Sequence, residues 1–115
     1  MKPNPQWLSD WKNDIDPERE TEIGKELLRI FSTFWLAQDL ENKSKTTRNR
    51  YANAMHALGG FLVEEAVSDQ GIEMSVTGLL YEHIDETGGP LIHADEEAWQ
   101  EELDMVCRKL FKFLK

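Results

Sequence analysis

The fold of this chain is decided by residues 17–41, which read PERETEIGKELLRIFSTFWLAQDLE. Apolar side chains recur there at intervals of three and four, the period that places them on one face of an α-helix. They are Ile23, Leu27, Ile30, Phe31, Phe34 and Trp35. Asp16 and Pro17 are a helix-start signal, because aspartate caps a helix and proline at the first helical position loses no needed N–H group. We therefore predict a long core-facing helix over residues 17–41.

Three later segments repeat this helical period, over residues 46–68, 76–87 and 95–114. The first apolar stripe is Tyr51, Met55 and Leu58, followed by Phe61 or Leu62 and then by Glu65 or Ala66. The second is Leu79, Leu80 and Ile84, and the third is Trp99, Leu103, Val106, Leu110 and Phe113. Short polar connections and the Gly88-Gly89-Pro90 turn separate the segments, and no stretch alternates as a strand would. The sequence predicts an all-α, single-domain bundle of four principal helices across residues 1–115.

The N-terminal segment, residues 1–15, holds Trp7 and Trp11 four positions apart, so one helical turn would place both indoles on the same side. We expect a short helical arm that packs on the body of the domain. Trp35 and Trp99 lie on predicted core stripes. That leaves Trp7 and Trp11 as the tryptophans free to form a surface for a partner.

Gly59 and Gly60 interrupt the second predicted helix, where each costs about 1 kcal/mol relative to alanine. We expect them to allow the close approach of another helix backbone, with a kink as the alternative. Both explanations are structural, so the pair is assigned no role in binding.

The charges are sorted unevenly along the chain. Lys and Arg number 13 and Asp and Glu number 22, for a net charge of −9. A basic strip is formed by Lys43, Lys45, Arg48 and Arg50. No Lys or Arg follows it until Arg108, and thirteen carboxylates lie between these points. The overall acidity opposes long-range attraction to nucleic acid and anionic membranes, although a local patch still acts within a Debye length of about 8 Å.

The basic strip lies at the start of the helix predicted from residue 46, where free N–H groups and the helix dipole also favour a phosphate. It could therefore grip the DNA backbone, and four phosphate contacts would give a slope of log affinity against log salt of about −3.6. The alternative is a solvated connection whose positive charges balance acids on other helices.

Residues 44–51, SKTTRNRY, followed by Met55, Leu58 and Leu62, resemble a pattern in tyrosine recombinases. The pattern runs from a small-polar turn to a threonine, then to a tyrosine four residues later, then to apolar residues. Thr47 and Tyr51 hold those two positions in this chain.

Phe31, Phe34, Trp35 and Leu36 match the aromatic-rich first helix of the same domain. The similarity is to the helical, SAM-like core-binding domain of phage integrases and covers residues 23–63. The resemblance implies that Lys45, Arg48 and Arg50 face the phosphates of the DNA backbone, and that the domain carries out no chemistry on the DNA bases. The catalytic arginines, histidines and tyrosine of the recombinases have no counterpart here, so we expect no recombination by this chain alone.

Acidic residues form the other candidate surface, on the last predicted helix. They are Glu96, Glu97, Glu101, Glu102 and Asp104. One interpretation is a solvated helix face, and the other is a docking surface for a basic partner that involves Glu97 and Glu101.

Candidate catalytic and metal-binding groups are sparse. His56, His83 and His93 are scattered, and no Gly-rich phosphate loop, nucleophile elbow or two-histidine metal helix occurs. The nearest approach to a metal-binding set surrounds the Gly88-Gly89 turn and consists of Glu82, His83, Glu86, His93 and Asp95. Exposed polar residues beside a turn account for it more simply, and the single Cys107 is interpreted as a small buried hydrophobe. We predict no metal, no cofactor and no catalysis.

We therefore expect a non-catalytic binding or assembly module of the cytoplasm, since no signal peptide or apolar span is evident. One hypothesis docks the basic strip on DNA. The other binds protein, either through the acidic helix face or by pairing two copies through the Trp7 and Trp11 arm and an apolar helix face.

Overall fold

Five α-helices carry the fold in the computed structural model, which describes residues 2–115. They are α1 (Gln6–Asp10), α2 (Pro17–Ala37), α3 (Lys45–Ala66), α4 (Val76–His83) and α5 (Glu97–Leu114). No β-strand occurs within the described residues, and the all-α bundle predicted from the sequence is confirmed. Each helix in this part of the chain is either too short or too polar to span a bilayer.

The central helix is α3, because α2 and α5 make their most extensive contacts with it. The predicted stripes of α2 and α3 are buried, and where the spacing left two choices the buried residues are Leu62 and Ala66. The other buried members are Ile23, Leu27, Ile30, Phe31, Phe34, Trp35, Tyr51, Met55 and Leu58. Full burial of such a side chain contributes about 1.5–3 kcal/mol. The shorter α4 packs on α2 and α3.

Two helix ends differ from the sequence prediction for local reasons. α2 ends at Ala37 rather than residue 41, because Asp39 adopts a left-handed φ of 55° and Leu40–Asn42 form a short 3-10 turn. α4 ends at His83 rather than residue 87, because the Asp85 carboxylate accepts the Thr87 N–H at 2.8 Å and starts a turn.

The N-terminal arm is part of the core. Trp7 and Trp11 are 0% and 3% exposed, so they do not offer the free partner surface expected of them. The Trp11 indole lies on Gly59, where a Cβ atom would come within 2.1 Å of the ring, and its N–H donates to the His56 carbonyl at 2.9 Å. Gly59 thus admits an indole, not the helix backbone we expected.

The connection from α1 to α2 is held by the Glu20 carboxylate. This buried group accepts hydrogen bonds from the backbone N–H groups of the last four residues of the connection, Asn13, Asp14, Ile15 and Asp16. Burial alone would raise the pKa of Glu20, but the four donors outweigh it and lower the pKa below its ordinary value. The arm is therefore fixed at both its indoles and its connection.

The neighbouring Arg19 links the start of α2 to the end of α3. Its guanidinium donates to the carbonyls of Ala66, Gly71 and Met74 at 2.6, 2.9 and 2.9 Å. These carbonyls belong to the end of α3 and the turn that follows it, so one side chain positions the entry to α4.

Candidate functional site

A surface groove of about 240 Å³ lies between α3 and α5. It is lined by Asn53, Ala54, His93, Trp99, Glu102 and Leu103. On α3 the lining residues follow Arg50 by three and four positions, and on α5 Glu102 and Leu103 follow Trp99 by the same intervals. Residues so spaced share one helix face, so the groove has two helical walls that face each other.

Trp99 is 58% exposed, which corrects the prediction that it belongs to the core stripe of α5. It does point in the same direction as Val106, since seven residues turn a helix by about 700°. However, Trp99 lies in the first turn of α5, and Leu103 is the first residue of the helix to be buried. The apolar stripe of α5 therefore begins one helical turn before the part of the helix that is buried in the core.

The imidazole of His93 lies against the Trp99 indole, with ring centroids 5.6 Å apart and ring planes at 79°. This edge-to-face contact is the preferred geometry of aromatic pairs. It fixes one side of the indole and leaves the rest of its surface open to the groove.

The segment that carries His93 is positioned by Gln100. The Gln100 amide oxygen accepts the N–H groups of Ile92 and His93 at 3.1 and 2.9 Å, and its amide nitrogen donates to the Pro90 carbonyl at 3.0 Å. The same nitrogen donates to Asp104 at 3.1 Å. All of the hydrogen-bonding capacity of one side-chain amide is thus used to hold this wall on α5.

The Gly88-Gly89 turn lies directly on α5 as well. The Gly89 N–H donates to Asp104 at 3.0 Å, and a Cβ atom at Gly89 would come within 2.5 Å of the Cys107 sulfur. Gly88 adopts a φ of 149°, which favours glycine. Asp104, expected to be a solvated acid, is instead a fixed acceptor behind the groove wall.

Acidic groups surround the groove on the α5 side. Glu102 lines it, and the exposed Asp95 and Glu96 come just before the first turn of α5, which carries Trp99. Glu97 and Glu101, the acids assigned to a partner surface, are exposed but lie about 200° around α5 from Trp99. They face away from the groove, whereas Glu102 lines it.

The basic strip is divided by the fold. Arg48 and Arg50 lie two positions apart, hence about 200° around α3, and cannot face one flat surface together. Arg48 donates to the Lys43 carbonyl at 2.7 Å, whereas Arg50 pairs with Glu102 across the groove at 3.4 Å. Lys43 and Lys45 are exposed, and Ser44 between them caps α3 by accepting the Thr47 N–H at 3.2 Å.

The remaining reactive side chains are separated from one another. His83 lies against Phe61 and near Glu65, His93 lies against Trp99, and no group of three metal-ligating side chains occurs within residues 2–115. Burial, with a further contribution from Asp104, raises the pKa of the Cys107 thiol to about 12. The thiolate is therefore negligible at neutral pH.

Sequence reasoning missed Asn53 as a groove residue and Gln100 as the residue that positions the His93 segment, and it considered His93 only as a metal ligand. The one local signal of the hydrogen bonds that hold the His93 segment on α5 was the pair Gln100 and Asp104, which lie four positions apart on a helix. No protein-family model, curated protein or solved structure matches this chain.

Proposed function

We propose that this protein is a non-catalytic binding module that takes a basic segment of a partner protein into the groove between α3 and α5. The observation that carries the proposal is the exposed indole of Trp99 beside the Glu102 carboxylate. The other three tryptophans, Trp7, Trp11 and Trp35, are buried.

The chemistry of the groove suits a cationic side chain with an apolar stem. Trp99 and Glu102 are one helical turn apart, which places their Cβ atoms about 5–6 Å from each other. A cation on the indole face gains about 0.5–1 kcal/mol at an exposed site, and the same cation can pair with the carboxylate. Ala54 and Leu103 supply the apolar floor for the stem.

The long-range charge of the protein favours the same partner. The net charge is −9, and the chain has no Lys or Arg from Tyr51 to Cys107, the region that includes most of the groove. A basic peptide is therefore attracted towards this side, and its association is faster at low salt. Duplex DNA is repelled by the same field.

The groove is also ordered before a partner arrives. Gln100 and Asp104 fix the segment that carries His93, and the Gly88-Gly89 turn lies against α5. A preformed site loses less conformational entropy on binding than one that must assemble.

The test is fluorescence anisotropy of a labelled peptide in which arginines alternate with leucines, titrated with the protein at low and moderate salt. We expect binding that weakens with salt. Trp99→Ala should weaken it by about thirtyfold, the effect of losing about 2 kcal/mol at a hot spot. Glu102→Gln should weaken it severalfold, and Glu101→Gln, which removes the same charge from a side chain that faces away from the groove, is the matched control.

Unchanged binding in Trp99→Ala would contradict this proposal, and so would three other results. Equal losses in Glu101→Gln and Glu102→Gln would mean that only net charge matters. Tight binding of a random DNA duplex that Lys43→Glu/Lys45→Glu abolishes would favour the basic strip as the functional surface. A dimer in sedimentation that disappears in Trp99→Ala would make a second copy of this chain the occupant of the groove.

A further inference from the structure

Arg50 is the cation that this chain itself presents to the groove. It lies on the α3 face that carries Asn53 and Ala54, and its Nε atom is 3.4 Å from the Glu102 carboxylate. The carboxylate of Glu102 is therefore already in contact with a guanidinium when no partner is bound.

The contact between these two groups is loose. The Arg50 and Glu102 side chains are 55% and 35% exposed, and the 3.4 Å approach is an ion pair without a hydrogen bond. Exposed pairs of this kind contribute little because solvent competes for both groups. Another cation can therefore replace Arg50 on the carboxylate at low cost.

We infer that Arg50 is an internal competitor for Glu102, and that the partner anchors itself with an arginine that displaces it. This rests on the proposed function and adds the identity of the anchor and a means of control. A guanidinium is planar and delocalised, so it can stack on Trp99 while its N–H groups reach Glu102 one turn away. An ammonium group on a flexible stem satisfies one of these contacts less well.

Competition predicts a gain of affinity when Arg50 is removed. Arg50→Ala should bind the arginine–leucine peptide about two- to fivefold more tightly than the parent, the range expected for release of an exposed ion pair. Arg48→Ala is the matched control, since it makes the same change in net charge but removes a guanidinium that is held by the Lys43 carbonyl. Circular dichroism and the urea midpoint verify that both variants remain folded.

Two further measurements separate competition from a general charge effect. In a Glu102→Gln background, Arg50→Ala should no longer change the affinity, because the carboxylate for which the two cations compete has gone. A lysine–leucine peptide of the same length and charge should bind the parent about two- to fivefold more weakly than the arginine–leucine peptide.

The inference is overturned if Arg48→Ala raises the affinity as much as Arg50→Ala does, or if the gain persists without Glu102. Equal affinity of the lysine–leucine and arginine–leucine peptides would reject the inference that the anchor of the partner is an arginine. A different result would reject the proposed function itself, namely a Trp99→Ala variant that binds the arginine–leucine peptide as tightly as the parent does. Loss of binding in Trp99→Ala together with no gain in Arg50→Ala would leave the function standing and reject the competition.

Discussion

Glu20 illustrates how a single residue decides the path of the chain. It is the one charged side chain among residues 2–115 that is buried, and its four hydrogen-bond donors are the consecutive backbone N–H groups of the connection between α1 and α2. A buried carboxylate is tolerated only when it is fully hydrogen-bonded. Glu20 therefore fixes the irregular segment that no local pattern could specify.

Glu20→Gln should lower the free energy of unfolding by about 1–3 kcal/mol at neutral pH, because the amide nitrogen would face backbone donors that then have no acceptor. The pKa of Glu20 is lowered in the folded state, so its contribution is complete above the ordinary glutamate pKa of about 4.3 and is lost as the pH falls through the folded value. Urea denaturation across this pH range should find the two proteins converging in stability at acid pH. Glu22→Gln, at an exposed position of the same helix, is the control, and a gap that does not depend on pH would contradict this account.

At the scale of elements, glycines in α2 and α3 make room for side chains of α1 and of Trp11, the residue that follows α1. A Cβ atom at Gly59 would lie 2.1 Å from the Trp11 ring, and one at Gly24 of α2 would lie 2.8 Å from Leu8. Gly60 is less constrained, with a Cβ atom 3.3 Å from Trp11. The helix-breaking residues of α2 and α3 are thus the places where α1 packs.

Gly59→Ala should destabilise the protein by at least about 1–3 kcal/mol, the usual cost of overpacking, because an indole buried on all sides cannot move aside easily. Gly60→Ala should be close to neutral, since a small steric cost is offset by about 1 kcal/mol of helix propensity. The urea midpoints of the two variants make the comparison. In a Trp11→Ala background the penalty at Gly59 should disappear, and a penalty that survives there would reject the packing explanation.

At the scale of the whole molecule, the bundle buries three tryptophans and exposes the fourth. Trp35 is fixed inside by an indole N–H that donates to Glu41 at 3.1 Å. The connection before α5 contacts the flank of Trp99 through His93, and the indole is still 58% exposed. The acidic surface and the one exposed indole therefore occur together on the α5 side.

Acrylamide quenching of tryptophan fluorescence should detect one accessible and three inaccessible indoles. Trp99→Phe should remove most of the quenchable emission, because the remaining indoles are no more than 3% exposed. Trp35→Phe, which removes a buried indole, should leave the accessible emission in place. Equal quenching of the parent and Trp99→Phe would contradict the exposure of this residue.

The sequence by itself determined the helices, because helical period, caps and turn residues act over a few neighbouring positions. Asp16 and Ser44 cap α2 and α3, and the stripes from Ile23 and from Tyr51 are buried as their spacing required. Only the tertiary structure decided which of Trp11 and Trp99 is covered. Trp11 and Trp99 both stand at helical spacing from other apolar residues, yet one is buried on Gly59 and the other is exposed. The physical reason is that burial depends on what another element places opposite a side chain, and local spacing holds no information about that neighbour.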